Sequence, residues 1–316
     1  MKKDTLYNLK IAVVIPAYKV KNQIKSVIKS IPEYISVIYV VDDDCPDKSG
    51  KVALSCKDKR VKLIKHKKNQ GVGGAVISGY KKALEDNMNI VVKIDGDGQM
   101  DAKLIPDFID PIVKNRCDYS KGNRFYYLEN ISKMPTIRLV GNAFLSFLTK
   151  LSSGYWDLFD PTNGYTAVNT KILKYLPLDK ISKRYFFETD MLFRLNTARA
   201  AVMDIPMDPK YADETSNLKI SRVLIEFPYR HSINFIKRIF YNYYLRDMSV
   251  ASIQLPLGLG LLIFGLFHGI TNWISYSDQE INTPIGTIML SILAVITGIQ
   301  FMLAFLQYDI SVIPKK

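Results

Sequence analysis

The sequence is short of the residues that would staple the chain or send it out of the cell. Its three cysteines, Cys45, Cys56 and Cys117, are odd in number, widely spaced and form no Cys-x-x-Cys pair. Neither a disulfide framework nor a zinc site is suggested by that pattern. The opening stretch Met1–Lys10 is polar and lacks the apolar core of a secretory signal, so the large domain is expected not to be exported. No internal repeat or low-complexity segment is present, and no Gly-rich phosphate loop follows the first apolar run. Ile15 leads instead into Pro16-Ala17-Tyr18-Lys19, which counts against a nucleotidyltransferase. Acidic residues are also in deficit: 30 Asp and Glu face 43 Lys and Arg, for a net charge of +13. Such an excess suits nucleic acid, anionic lipid or phosphorylated substrates.

Near the C-terminus charge itself disappears. Leu255–Ile274 and Pro284–Leu306 are runs of 20 and 23 residues without Asp, Glu, Lys or Arg. As helices they would be about 30 and 35 Å long, matching a hydrocarbon core of about 30 Å, and both are expected to cross a membrane. Their connector, Ser275–Thr283, has no Lys or Arg and carries Asp278 and Glu280. Arg230, Lys237, Arg238 and Arg246 precede the first run, and Lys315 and Lys316 follow the second. The positive-inside rule then predicts a multi-pass protein of the cytoplasmic (inner) membrane, with its large domain and C-terminus cytoplasmic. Membrane lipids and phosphorylated substrates become the expected partners, and nucleic acid does not.

The first hundred residues alternate β-branched runs with amphipathic stretches. Ile11–Ile15, Val37–Val41, Val61–Ile64 and Ile90–Ile94 read as buried strands, with helical spacing in Lys21–Ile31, Ser49–Lys57 and Gly74–Asp86 between them. This alternation predicts an α/β fold with a mostly parallel, Rossmann-like sheet. Ligands of such sheets sit beyond the carboxyl ends of the strands, here the loops after Ile15, Val41 and Ile94. From Cys117 to Tyr211 the pattern is less regular, with a helix predicted around Leu139–Leu151. Ile220–Arg246 mixes aromatic, aliphatic and basic residues; it could lie along the membrane interface or pack as an ordinary helix on the domain. The expected division is a cytoplasmic domain over 1–219, an amphipathic juxtamembrane segment over 220–250 and a membrane domain over 251–316.

Four segments stand out at the strand ends. Asp95-Gly96-Asp97-Gly98-Gln99 ends an apolar strand with two carboxylates one residue apart, an arrangement of hard oxygen ligands suited to Mg²⁺ or Mn²⁺ on a diphosphate. Asp42-Asp43-Asp44 follows a second buried strand, and such a cluster needs donors, a cation or solvent around it. Pro16-Ala17-Tyr18 closes the first strand, where a proline turn could hold backbone against a flat base. Asn69-Gln70-Gly71-Val72-Gly73-Gly74 opens a helix; with Val76 in place of a third spaced glycine, close helix–sheet packing is its expected role.

Together these segments resemble glycosyltransferase family 2 with the GT-A fold, in the branch of dolichyl- and polyprenyl-phosphate sugar synthases that carry C-terminal spans. The resemblance extends to Gly122-Asn123-Arg124, to Asp160-Pro161-Thr162-Asn163-Gly164-Tyr165, and to Arg138 and Asn142 one helical turn apart. It implies that Pro16, Ala17, Tyr18, Asp43, Asp95, Gly96 and Asp97 bind a nucleotide-sugar. It also implies that Asp95, Asp97 and Gln99 hold the metal, and that Arg124, Arg138, Asn142, Lys210 and Lys219 serve acceptor or donor phosphates. Two departures matter. Asp44-Cys45 replaces the family's Gly-Ser, and Lys210-Tyr211 stands where an Arg usually precedes the acceptor loop. The Gln-x-x-Arg-Trp motif of processive synthases is absent, because neither Trp156 nor Trp273 has an Arg before it.

The implied reaction is an inverting transfer of one sugar, from a UDP-sugar in preference to a GDP-sugar, onto polyprenyl phosphate. A hydroxyl acceptor would need a carboxylate base, for which Asp160, Glu188 and Asp190 are the candidates. The alternatives are such a hydroxyl-directed glycosyltransferase and a non-catalytic membrane scaffold. A homo-oligomer is compatible with two spans and an amphipathic approach to them.

Overall fold

The computed structural model describes residues 9–127, 136–208 and 220–316, the side chains at 137, 138 and 220–225 excepted. The chain forms two compact units: residues up to Phe235 together with Pro314–Lys316, and Ile236–Ile313.

The first unit is built on a seven-stranded sheet. β1 (Ile11–Ala17), β2 (Val37–Asp42), β3 (Val61–Lys65) and β4 (Ile90–Lys93) are the four strands expected from their β-branched runs. β1 and β2 are buried on both faces, the pattern of a parallel sheet covered by helices. α1 (Ile24–Ser30), α2 (Ser49–Leu54) and α3 (Val72–Glu85) connect them. α4 (Ile105–Val113) follows β4 and covers the sheet with Phe108 and Ile109, both fully buried.

The rest of the sheet comes from the stretch that looked irregular: β5 (Tyr119–Asn123), β6 (Thr166–Asn169) and β7 (Val202–Pro206). The strand order is β3-β2-β1-β4-β6-β5-β7. β6 runs antiparallel to both β4 and β5, and every other pairing is parallel. The mostly parallel α/β sheet is therefore as expected, with one reversed strand inside it. α5 (Thr136–Ser153), α6 (Thr170–Leu173) and α7 (Phe187–Thr197) complete this unit with the start of α8 (Ile220–Phe240). The middle of α8 packs on this unit: His231 and Asn234 are buried, His231 Nδ1 lies 2.7 Å from Ser152 Oγ, and Asn234 donates to Asp190 Oδ1 at 3.1 Å.

The second unit holds the tail of α8, a π-helical turn (Tyr241–Arg246), α9 (Val250–Asp278) and α10 (Ile285–Ser311). The two long helices contain both expected spans. They are long and apolar enough to cross a membrane, and mostly exposed along their length, as helices facing lipid would be. One buried ion pair ties the elements of this unit: Arg238 donates to Asp309 at 2.6 and 3.0 Å, and Tyr243 donates to Asp309 Oδ1 at 2.6 Å. Among the described residues, every hydrogen-bonding oxygen of that Asp309 is thereby matched by a donor, as a buried charge requires.

Candidate active site

The strand ends of β1, β2 and β4 meet the start of α3 around a cavity of about 320 Å³. Pro16, Ala17 and Tyr18 line it, with Asp43, Asn69, Gly71, Asp95, Gly96 and Asp97; Arg184 and Tyr185 come in from the loop before α7. All seven residues expected to bind a nucleotide-sugar thus share one wall. The parallel register explains it: Pro16 pairs with Val41 and Ala17 with Asp42, so the two turns leave the sheet at the same level.

Asp43 lines the cavity, but its carboxylate is already engaged. Oδ1 lies 2.7 Å from His66 Nδ1 and accepts from Gln70 N at 2.8 Å, while Oδ2 accepts from Gly71 N at 2.7 Å. His66 in turn meets Ser78 Oγ at 2.8 Å. Asp43 therefore shapes the turn before α3, and any contact it makes with a nucleotide uses what these donors leave.

The metal motif is held differently. Asp97 Oδ1 accepts from Gln99 N at 2.9 Å, which closes the turn. Asp95 is ion-paired at 3.0 Å with Lys93, whose ammonium also reaches Glu188 at 3.2 Å. Lys93 is 1% exposed. Burial alone would strip its proton, but the charges of Asp95 and Glu188 outweigh that and hold its pKa above the ordinary lysine value. Gly164 makes room for the pair: a Cβ there would collide with Lys93 Nζ and sit 2.9 Å from Asp95 Oδ2. The expected loop Asp160–Tyr165 thus contributes a missing side chain as much as a present one.

Among the described residues no group of three His, Cys, Asp or Glu side chains gathers around a metal position. Two carboxylates in one turn are too few for an all-protein cage. They suit a Mg²⁺ or Mn²⁺ that keeps waters and takes further oxygens from substrate phosphates. Gln99 closes the turn through its backbone, and its side chain is not part of the cavity wall.

Of the other candidates among the described residues, Arg124 follows β5, Asp160 precedes β6, Asn142 lies on α5 and Asp190 in the first turn of α7. Asp160 is 1% exposed and receives Arg124 in a fork, Nε to Oδ2 and Nη2 to Oδ1, both at 2.8 Å. Burial pushes its carboxyl up, but Arg124 and Lys121 outweigh that and hold it below the usual range. Arg124, expected to bind phosphate, is thus engaged by Asp160. Asp190 accepts from Ser182 N at 2.8 Å and from Asn234, so it anchors the loop before α7. Asn142 lies half-buried on α5; the Arg138 side chain, Lys210 and Lys219 lie outside the described residues. Nearby, Asp204 is pushed up to about 6, chiefly by burial, with Lys121 opposing.

Four residues of this region carried no expectation. Lys93 was legible in principle, since a lysine inside an apolar strand demands a buried partner. His66, at the end of β3, shares the carboxyl-end level of the sheet. Arg184 and Tyr185 have no local signal, being ordinary polar-loop residues until the fold brings them to the cavity.

The model of "Glycosyl transferase family 2" matches residues 12–176. The chain is 31% identical over 232 residues to the UDP-N-acetylglucosamine–dolichyl-phosphate N-acetylglucosaminyltransferase of Methanococcus voltae, covering 69% of this chain and 92% of that protein. It is 28% identical over 209 residues to the undecaprenyl-phosphate mannosyltransferase of Micrococcus luteus, covering 63% and 83%. Among solved structures, glucosyl-3-phosphoglycerate synthase from Mycobacterium tuberculosis, in complex with Mn²⁺, UDP-glucose and phosphoglyceric acid, superposes with a TM-score of 0.56 at 17% identity, covering 75% of this chain and 81% of that one. At that identity the likeness is one of fold.

Proposed function

The chain belongs to glycosyl transferase family 2, and from that premise we propose that it transfers a single sugar, with inversion, from a nucleotide-sugar to polyprenyl phosphate at the cytoplasmic face of a membrane. The donor lies in the cavity lined by Pro16–Tyr18, Asp43 and Asp95–Asp97, and a UDP-sugar is preferred, in keeping with the donor named for the Methanococcus relative. Asp95 and Asp97 would hold Mg²⁺ or Mn²⁺, which when bound supplies positive charge to the departing diphosphate.

The observation that carries the choice of acceptor is the state of the three candidate bases. Asp160 is bound by Arg124, Asp190 by Ser182 N and Asn234, and Glu188 by Lys93. A hydroxyl acceptor would need one of them to take a proton. A phosphate monoester does not: its second pKa is about 6, so it arrives as an anion near neutral pH. In the proposed step an acceptor phosphate oxygen forms the new bond to the anomeric carbon. The bond from that carbon to the diphosphate breaks, and the nucleoside diphosphate leaves with the electron pair. The chain's own contribution is then positioning and charge. Two helices that can span a membrane and the curated relatives' lipid-phosphate acceptors support the same reading.

The test is transfer of radiolabelled sugar from a panel of UDP- and GDP-sugars to undecaprenyl phosphate in membranes carrying the protein. The expected product is acid-labile, extracts into butanol, and vanishes with EDTA or in Asp97→Ala. A metal-dependent product on a hydroxyl acceptor alone would overturn the lipid-phosphate assignment and bring Glu188 forward as base. No donor binding at all would leave a membrane scaffold.

A further inference from the structure

One cation on the cavity wall has no part in that scheme. Arg184 is exposed, lines the cavity, and belongs to the loop before α7 rather than to a strand end. Elsewhere in this unit Lys93 is committed to Asp95 and Glu188, Arg124 to Asp160, and Lys121 to the carbonyls of Gly122 and Phe159. Among the described residues the Arg184 guanidinium meets no carboxylate.

Its position is built rather than incidental. Gly71 has φ +86°, in the left-handed region, and a Cβ there would come 2.6 Å from Lys183 O and 2.9 Å from Arg184 Cγ. Glycine therefore lets the Arg184 stem lie directly on the turn that opens α3. Gly74 N donates to Lys183 O at 3.0 Å, and Lys183 Nζ to Gln70 Oε1 at 3.2 Å. From the other side Phe187 N donates to Arg184 O at 2.9 Å and Ser182 N to Asp190 Oδ2 at 2.8 Å. The glycine-rich segment Asn69–Gly74 is thus the seat for this loop, and Asp190 is its anchor.

Asp43, Asp95 and Asp97 already make the cavity wall acidic, and a donor brings more negative charge into it. A planar guanidinium that is free to fork onto two oxygens matches phosphate and carboxylate alike. We propose that Arg184 binds an oxyanion of the donor, either its diphosphate or the carboxylate of an acidic sugar. This rests on the cavity being the donor site.

Calorimetric titration of the full-length protein in detergent with Mg²⁺ tests it, using UDP, GDP, UDP-glucose and UDP-glucuronic acid on wild type, Arg184→Gln and Arg184→Lys. Arg184→Gln is expected to bind about ten- to hundredfold more weakly, as for loss of a charge-assisted hydrogen bond, with partial recovery in Arg184→Lys and an unchanged melting temperature. A loss already present with the bare nucleoside diphosphate assigns the diphosphate; a loss confined to UDP-glucuronic acid assigns the sugar carboxylate. Equal affinities of wild type and Arg184→Gln for every probe would overturn the assignment. So would a defect appearing only in the KM for undecaprenyl phosphate. If wild type bound no probe at all, the donor-site reading itself would fall, and this inference with it.

Discussion

At the carboxyl ends of β1, β2 and β4, Asp95 and Asp97 line a cavity, Asp95 paired with the buried Lys93 and Asp97 accepting from Gln99 N. Farther along the chain, Asp160 and Asp190 are buried: Arg124 donates to both oxygens of the first, and Asn234 and Ser182 N to those of the second. The same residue type serves two purposes in one unit. On the first side Asp95 and Asp97 line the cavity, where the proposed cation and diphosphate would meet them; on the second Asp160 and Asp190 hold loops. Residue type is the same, so the difference lies in which donors the fold brings within reach.

The largest effect that separates the two sides is expected at Asp97. Asp97→Ala should lower sugar transfer about a thousandfold or more, with a melting temperature close to wild type, read by lipid-product assay and thermal melt. An active Asp97→Ala would put this carboxylate with the structural ones. Next comes Asp160→Ala, which removes the buried half of its pair with Arg124. The Arg124 side chain is 30% exposed, so the loss is that of a charge-assisted hydrogen bond, about 1.5–3 kcal/mol, visible as a lower denaturant midpoint. A variant that melts like wild type yet fails to transfer would move Asp160 into the chemistry and erase the contrast.

Asp190→Ala should act on the loop that carries Arg184. The donor KM is expected to rise about tenfold, as for loss of a supporting residue, while kcat stays near wild type. A fall in kcat at unchanged KM would return Asp190 to the candidate bases.

The smallest effect is in the pH dependence of stability. Asp204 is pushed up to about 6 by burial, against about 4 when unfolded. The folded state keeps this proton while the unfolded chain has lost it, so stability falls as pH rises from about 4 to about 6 and is level above. His231 is pushed down to about 4 by burial beside Ser152, against about 6.5 unfolded. There the unfolded chain takes the proton first, so stability falls as pH drops from about 6.5 to about 4. The two slopes oppose each other in wild type. Asp204→Asn should leave the His231 slope alone, and denaturant unfolding between pH 4 and 7 would reveal it as stability rising with pH. A profile identical to wild type would show that Asp204 ionises as an exposed carboxylate does.

Much of the donor side was legible. β1 to β4 announce themselves as β-branched runs because a strand buried on both faces must be apolar throughout. The Asp95–Gln99 turn was placed by the strand it ends. β5, with the sequence Tyr-Ser-Lys-Gly-Asn, and the four-residue β6 carry no such pattern. Their polar side chains are buried against partners far away in the chain, and periodicity cannot report that. For the same reason Asp160 and Asp190 looked like candidate bases: a carboxylate in a motif reads alike whether it is free or already bound.

By itself, then, the sequence determined the parallel core of the sheet, the carboxylate turn and the two long apolar helices, since each depends on the character of a contiguous run. Which carboxylates line the cavity and which hold loops was decided only by the tertiary structure. The same holds for Arg184 at the cavity and for the room that Gly164 leaves for Lys93. These depend on contacts such as Lys93 to Glu188, 95 residues apart, and a buried charge takes its role from the partner that folding delivers to it.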